Sequence, residues 1–116
     1  MGRLFVLLLF ASALFAADRT IPLVSLKIEE VVPHDAAAFT QCLTTAFQDS
    51  ALLIEGTGLY GHSELRLFHP QRGTILQHLS LPRQYFGEGC TVLQNELYQL
   101  TWKERVIFVR DPLTFQ

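Results

Sequence analysis

The sequence predicts an all-β fold assembled from repeated antiparallel sheets, the blades of a β-propeller. Three observations point there. Beyond residue 20 the apolar residues come in short runs punctuated by Gly, Pro, Asn and Asp, and no run sustains a helical period. Several runs alternate apolar with polar residues, the pattern of a strand with one covered face. The pattern also starts over, because Phe39-Thr40-Gln41 returns as Phe86-Gly87-Glu88 one repeat later (86 − 39 = 47). A repeat of about 40–50 residues holding four strands is the length of one blade. A small β-sandwich would suit the alternation equally well, but it leaves the repeat unexplained.

Taken in order, the elements follow from this frame. Arg3, the apolar stretch Leu4–Phe10 and the small residues Ala11-Ser12-Ala13 have the composition of a secretory signal. Residues 1–17 are therefore expected to be a signal peptide cleaved between 13 and 17, leaving a secreted or periplasmic product. The uncharged run stops at Ala17, short of the roughly 20 residues of a membrane span, so no stable span is expected. Residues 18–38 form an N-terminal strand and connector. Val24, Leu26 and Ile28 share one face and Ser25, Lys27 and Glu29 the other, predicting a half-buried strand over 23–32. Pro33-His34-Asp35 breaks it, and Ala36-Ala37-Ala38 connects onward.

The first blade spans 39–82, with strands over 39–47, 51–54, 64–68 and 74–81. Its turns are Gln48-Asp49-Ser50, the Gly56-Thr57-Gly58 stretch through Gly61, and Pro70 to Gly73; Gly58 and Gly61 suit positive φ there. The second blade, 83–116, is incomplete, with strands over 86–93, 97–102 and 106–109 separated by polar turns at 94–96 and 103–105. Two blades do not close a ring. The chain therefore reads as an N-terminal portion, and the strand over 23–32 as the piece that completes the last blade.

Composition removes several function classes. Apolar residues make up 49% of the 116, enough for a packed core, and the net charge of −2 offers nothing to neutralise phosphates, so no nucleic-acid partner is expected. His34, His62, His69 and His78 lie on separate segments without ligand spacing, which predicts no metal site. Ser63 has no histidine or acid arranged beside it for a hydrolytic triad. At the repeat offset of 47, Cys42 aligns with Gly89 and Cys90 with Leu43. Side chains alternate across a strand, so the two cysteines face opposite sides of equivalent strands, and no disulfide between them is expected.

Four motifs in order then carry a resemblance. They are Phe39-Thr40-Gln41, Glu55-Gly56-Thr57-Gly58-Leu59-Tyr60-Gly61-His62-Ser63, Tyr85-Phe86-Gly87-Glu88-Gly89, and Leu97-Tyr98-Gln99-Leu100-Thr101-Trp102-Lys103. From about Val31 to Phe115 the chain resembles the plant and bacterial type of glutaminyl-peptide cyclotransferase. The resemblance implies a five-bladed propeller that converts the N-terminal glutamine of a peptide or protein to pyroglutamate and releases ammonia, without metal or organic cofactor. By position it makes Glu88 the catalytic carboxylate and Gln41 the amide that holds the substrate. Phe39, Phe86 and Trp102 become the aromatic lining. It also implies further pocket residues from later blades, an asparagine, a lysine and another tryptophan, which these 116 residues do not supply. The family pattern has glycine where Cys42 stands, so this chain carries extra bulk beside Gln41.

The chemistry suits those residue types. An α-amine must lose a proton and attack the side-chain amide carbon, and the departing ammonia must gain one. A single carboxylate in a close-fitting apolar setting can move that proton both ways. Glutamine offers both a donor and an acceptor to hold the substrate. Because ring closure is intramolecular, holding the reactive conformer supplies much of the acceleration. The Glu55–Ser63 stretch reads as structural, with Glu55 hydrogen-bonded near the channel. The second reading, from another class, is a non-catalytic propeller remnant or interaction module derived from such an enzyme.

Overall fold

The computed structural model describes residues 21–46 and 49–116. The signal-like segment 1–17 lies outside them. Among the described residues there is no helix, and seven strands form two antiparallel sheets. Sheet 1 is a four-stranded meander, β1 (Thr40–Ala46), β2 (Asp49–Thr57), β3 (Glu64–His69) and β4 (Thr74–Ser80). Sheet 2 is a three-stranded meander, β5 (Gly87–Leu93), β6 (Glu96–Thr101) and β7 (Ile107–Arg110). In both sheets each strand pairs only with its sequence neighbours, as short hairpin turns dictate. Asn95, at φ 66°, turns β5 into β6, and Gly73, at φ 62°, turns β3 into β4. Two consecutive meanders stacked on one another fit neighbouring propeller blades.

The sheets stack with β1 against β5, and β2 also touches β5. One hydrophobic cluster fills the space between and beneath them. It takes Ala46, Ile54, Leu65 and Leu67 from sheet 1, Leu97 from sheet 2, and Leu81 and Phe115 from the connecting and terminal segments. Phe115 reaches this core because residues 111–116 fold back as a hook. Asp111 caps the hook by accepting from the N–H groups of Leu113 and Thr114, and Phe115 N–H donates to Asp111 O at 2.9 Å. The Gln77 side chain on β4 donates to Thr114 O, which ties the hook to sheet 1.

Two sequence expectations are corrected here. The strand expected over 23–32 is not formed. Leu23, Val24, Leu26 and Ile28 are almost wholly exposed and the segment pairs with nothing among the described residues. Alternation describes what a strand would bury, but a strand exists only where a neighbour accepts its hydrogen bonds. The Gly56-Thr57-Gly58 turn is corrected too, because β2 runs on through Thr57 and Gly56 pairs with both Cys42 and Leu65. The reversal begins only at Gly58, and its left-handed residues are Leu59 (φ 85°) and Gly61 (φ 78°) rather than Gly58.

The segment before β1 is anchored by charge. Glu55 on β2 is 2% exposed and accepts from the Thr40 hydroxyl, and its Oε1 lies 2.8 Å from His34 Nε2. The Arg66 guanidinium is 3.9 Å from the same carboxylate and donates to Asp35 and Glu64. Burial pushes the Glu64 carboxyl up, but hydrogen bonds from Arg66 and His78 outweigh it and hold the group below its usual 4.5. A carboxyl lowered in the folded state stabilises fully above its unfolded value and loses that contribution as pH falls through the folded one. Denaturant midpoints measured from about pH 5 down to about pH 3 should therefore fall less steeply for Glu64→Gln than for the unmodified chain. Parallel curves would refute the linkage.

Candidate functional site

One end of the stacked sheets gathers most of the residues singled out in the sequence. β1 and β5 begin there, and β2 and β6 end there, with Thr40 opposite Thr57 and Gly87 opposite Thr101. Phe39 and Phe86 precede the two opening strands and Trp102 follows β6. Phe86 is the floor, only 9% exposed, while Phe39 (50%) and Trp102 (52%) stand above it with free surface. The rings meet edge-on or tilted, with centroids 6.3 Å apart for Phe39–Phe86 and 5.4 Å for Phe86–Trp102. Such geometry sets a partly positive ring edge against a π face. Trp102 N–H donates to Phe86 O at 3.0 Å, and the Lys103 ammonium lies over the Trp102 ring at 3.7 Å.

Gly58 explains how the floor fits. A Cβ there would run into the Phe86 ring, 2.8 Å from Cζ, and would sit 3.0 Å from Cγ of Gln41. Glycine is needed at this position for close approach, and the approach places Gln41 beside Phe86. Glu88 comes from the other sheet. It lies half-buried on β5 inside a bulge between Gly87 and Cys90, where three steps on β5 oppose two on β6. Bulges re-aim the side chains they carry. Gly87 N–H donates to Ser63 Oγ at 2.9 Å, and a Cβ on Gly87 would lie 2.6 Å from Thr57 O. The backbone before Glu88 is thus pressed directly onto sheet 1. The Glu88 carboxylate itself makes no hydrogen bond or ion pair with another described residue.

Between Gln41 and Glu88 the structure corrects the cysteine expectation. Cys42 and Cys90 are disulfide-bonded, with Cα atoms 5.3 Å apart. The expectation placed the two side chains on opposite faces of equivalent strands and took this to separate them. Sheets stacked front to back, like pages, bring opposite faces together, so that placement is the one a crosslink needs. Cys42 turns toward sheet 2 and is buried, and a Cβ at the opposite residue, Gly56, would lie 2.7 Å from its sulfur. Gly56 and Gly87 also leave the room filled by the fully buried Gln99 side chain, the cross-strand partner of Cys90. The bond joins the residue after Gln41 to the second residue after Glu88.

The sequence reading missed two residues. It took 55–63 as structural, yet the loop lays Tyr60 edge-on against Phe86 with centroids 5.4 Å apart. The Tyr60 hydroxyl donates to Glu104 at 2.7 Å. That bond raises the tyrosine pKa and lowers the glutamate's. The only signal available in the sequence was an aromatic residue set between the two glycines of a turn.

The family model for glutamine cyclotransferase matches residues 4–116. The glutaminyl-peptide cyclotransferase of Arabidopsis thaliana is 40% identical over 79 residues, which is 68% of this chain and 24% of the relative. The chain thus spans about a quarter of the length of the curated relative it matches. A match across nearly every residue makes this chain a member of the glutamine cyclotransferase family.

Proposed function

We propose that the protein is a glutaminyl-peptide cyclotransferase, acting on peptides and proteins that begin with glutamine. The observation that supports the proposal is the gathering of Phe39, Phe86 and Trp102 at one end of two strands crosslinked by Cys42 and Cys90, the strands that carry Gln41 and Glu88. In the reaction the Glu88 carboxylate takes a proton from the substrate's α-amine. The amine nitrogen then attacks Cδ of the side-chain amide to form the five-membered ring. As the Cδ–Nε bond breaks, the Glu88 proton passes to the departing nitrogen, which leaves as ammonia, and the carboxylate is restored. Gln41 orients the substrate by hydrogen bonding, and Phe39, Phe86 and Trp102 keep water from the reacting atoms.

Export is part of the same reading. The signal-like residues 1–17 support it, and so does a disulfide, since such bonds persist in oxidising compartments such as the periplasm and the extracellular space. The test is ammonia release from a Gln-initiated peptide set against the same peptide beginning with alanine. Release from the first alone is expected. Release from neither would discard the reading in favour of a non-catalytic member of the family.

A further inference from the structure

We propose that Tyr60 is a further substrate-binding residue, a rim wall that packs the side chain following the substrate's N-terminal glutamine, and that Glu104 is its positioning residue. The proposal rests on the cyclotransferase reading and extends it to specificity. Three independent observations carry it.

The first is placement. Phe86 is nearly covered, whereas Phe39, Tyr60 and Trp102 keep 50%, 47% and 52% of their surface free. One covered floor beside three half-free rings offers an apolar group surface to pack on. Tyr60 comes from the loop beyond the ends of β2 and β3, so it stands outside the strands that carry Gln41 and Glu88. A peptide whose first residue reaches Gln41 and Glu88 from this end of the sheets would present its second residue to the loop.

The second is restraint. Glu104, from sheet 2, accepts from the Tyr60 hydroxyl through Oε1 at 2.7 Å, and its Oε2 lies 3.5 Å from Phe86 N. One carboxylate therefore ties a loop of sheet 1 to the floor on sheet 2. An exposed tyrosine with no task gains little from being fixed at both its ring and its hydroxyl.

The third is strain. Leu59, immediately before Tyr60, is held at φ 85°, a conformation that costs a non-glycine residue on the order of 1–3 kcal/mol. Three hydrogen bonds keep it there. Leu59 O accepts from His62 N–H at 3.0 Å and from Ser63 Oγ at 2.9 Å, and that hydroxyl in turn receives Gly87 N–H. The loop is clamped in a costly shape that presents the Tyr60 ring to Phe86.

Trp102 is the single tryptophan of the chain and lies on the same floor, so its emission reports these rings directly. The experiment titrates the full chain with Gln-Phe-amide, Gln-Gly-amide and Ala-Phe-amide. Losing one aromatic pair should weaken Gln-Phe-amide roughly tenfold in Tyr60→Ala and leave Gln-Gly-amide within about twofold. Tyr60→Phe keeps the ring but frees it from Glu104, and Glu104→Gln loosens it from the other side. Each should show a smaller, matching loss for Gln-Phe-amide alone. Equal losses for both glutamine peptides in Tyr60→Ala, or no loss, would overturn the proposal, as would a parent chain whose emission ignores the second residue. Preference for Gln-Phe-amide over Ala-Phe-amide tests the cyclotransferase reading separately. A chain that distinguishes Phe from Gly at the second position but not Gln from Ala at the first would refute that reading and leave the Tyr60 wall standing.

Discussion

Glu88→Gln is expected to reduce ammonia release from a Gln-initiated peptide by roughly 10²–10⁴-fold, the usual worth of a positioned acid–base group. The substitution keeps shape and volume and removes only the ability to take up and return a proton. It should leave folding untouched, because Glu88 has no hydrogen-bond or ion-pair partner among the described residues that would be left unpaired. The loss should fall on kcat with KM nearly unchanged, since in the proposed mechanism the carboxylate acts on a proton in flight rather than on the bound ground state. Glu88→Ala should behave similarly in rate. A Glu88→Gln chain that releases ammonia within about twofold of the parent would remove Glu88 from the mechanism, whatever the fate of the family assignment.

Removing the crosslink has the largest expected effect on stability. Cys42 and Cys90 are 48 residues apart, and closing a loop of that length restricts the unfolded chain by about 4 kcal/mol on the loop-entropy account. For a domain whose net stability is commonly about 5–15 kcal/mol, that is a large fraction. Denaturant midpoints of the Cys42→Ala/Cys90→Ala chain should therefore drop well below those of the oxidised parent, and the reduced parent should follow the double variant. The bond joins the strands of Gln41 and Glu88, so glutamine-peptide binding should weaken under conditions where both forms remain folded. A shift in stability of under about 1 kcal/mol would show that core contacts between the sheets already do the work of the bond. Thiols that can be alkylated without prior reduction would show that the bond is absent.

How far these features could be read from sequence varied with what set them. Seven strands were legible because glycines, prolines and polar clusters mark where a chain must turn, and turn chemistry is local. The end of β2 was not, because Gly56 and Gly58 are glycines for the sake of neighbours distant in sequence, the sulfur of Cys42 and the ring of Phe86. The segment 23–32 alternates correctly, yet strand formation depends on a partner that alternation does not name. The meeting of Phe39 and Phe86 followed from the repeat, since equivalent positions in stacked units lie side by side, whereas Trp102 was named only by the family resemblance. The placement of Tyr60 did not follow from the repeat, because it depends on an unfavourable φ at Leu59 whose clamp is completed by Gly87 N–H from the other sheet. The disulfide was misread although the facing of each cysteine was the right starting point. What was lacking was the order in which two sheets present their faces.

That order has a consequence in symmetry. Sheet 1 offers one face and sheet 2 answers with the opposite one, so the contact is heterologous and no two-fold axis relates the two units. On sheet 2 the face turned away from the contact carries Leu100 and Ile107, 46% and 57% exposed, beside Tyr98. A head-to-tail contact of this kind is a fixed rotation applied again at every step, and its arithmetic admits two outcomes. Either a whole number of steps completes a turn and the assembly becomes a ring, or the steps miss and it becomes a helix. Gly56, Gly87 and the Cys42–Cys90 bridge lie in that contact, and the angle at which the two sheets stack is the quantity that would decide between the two.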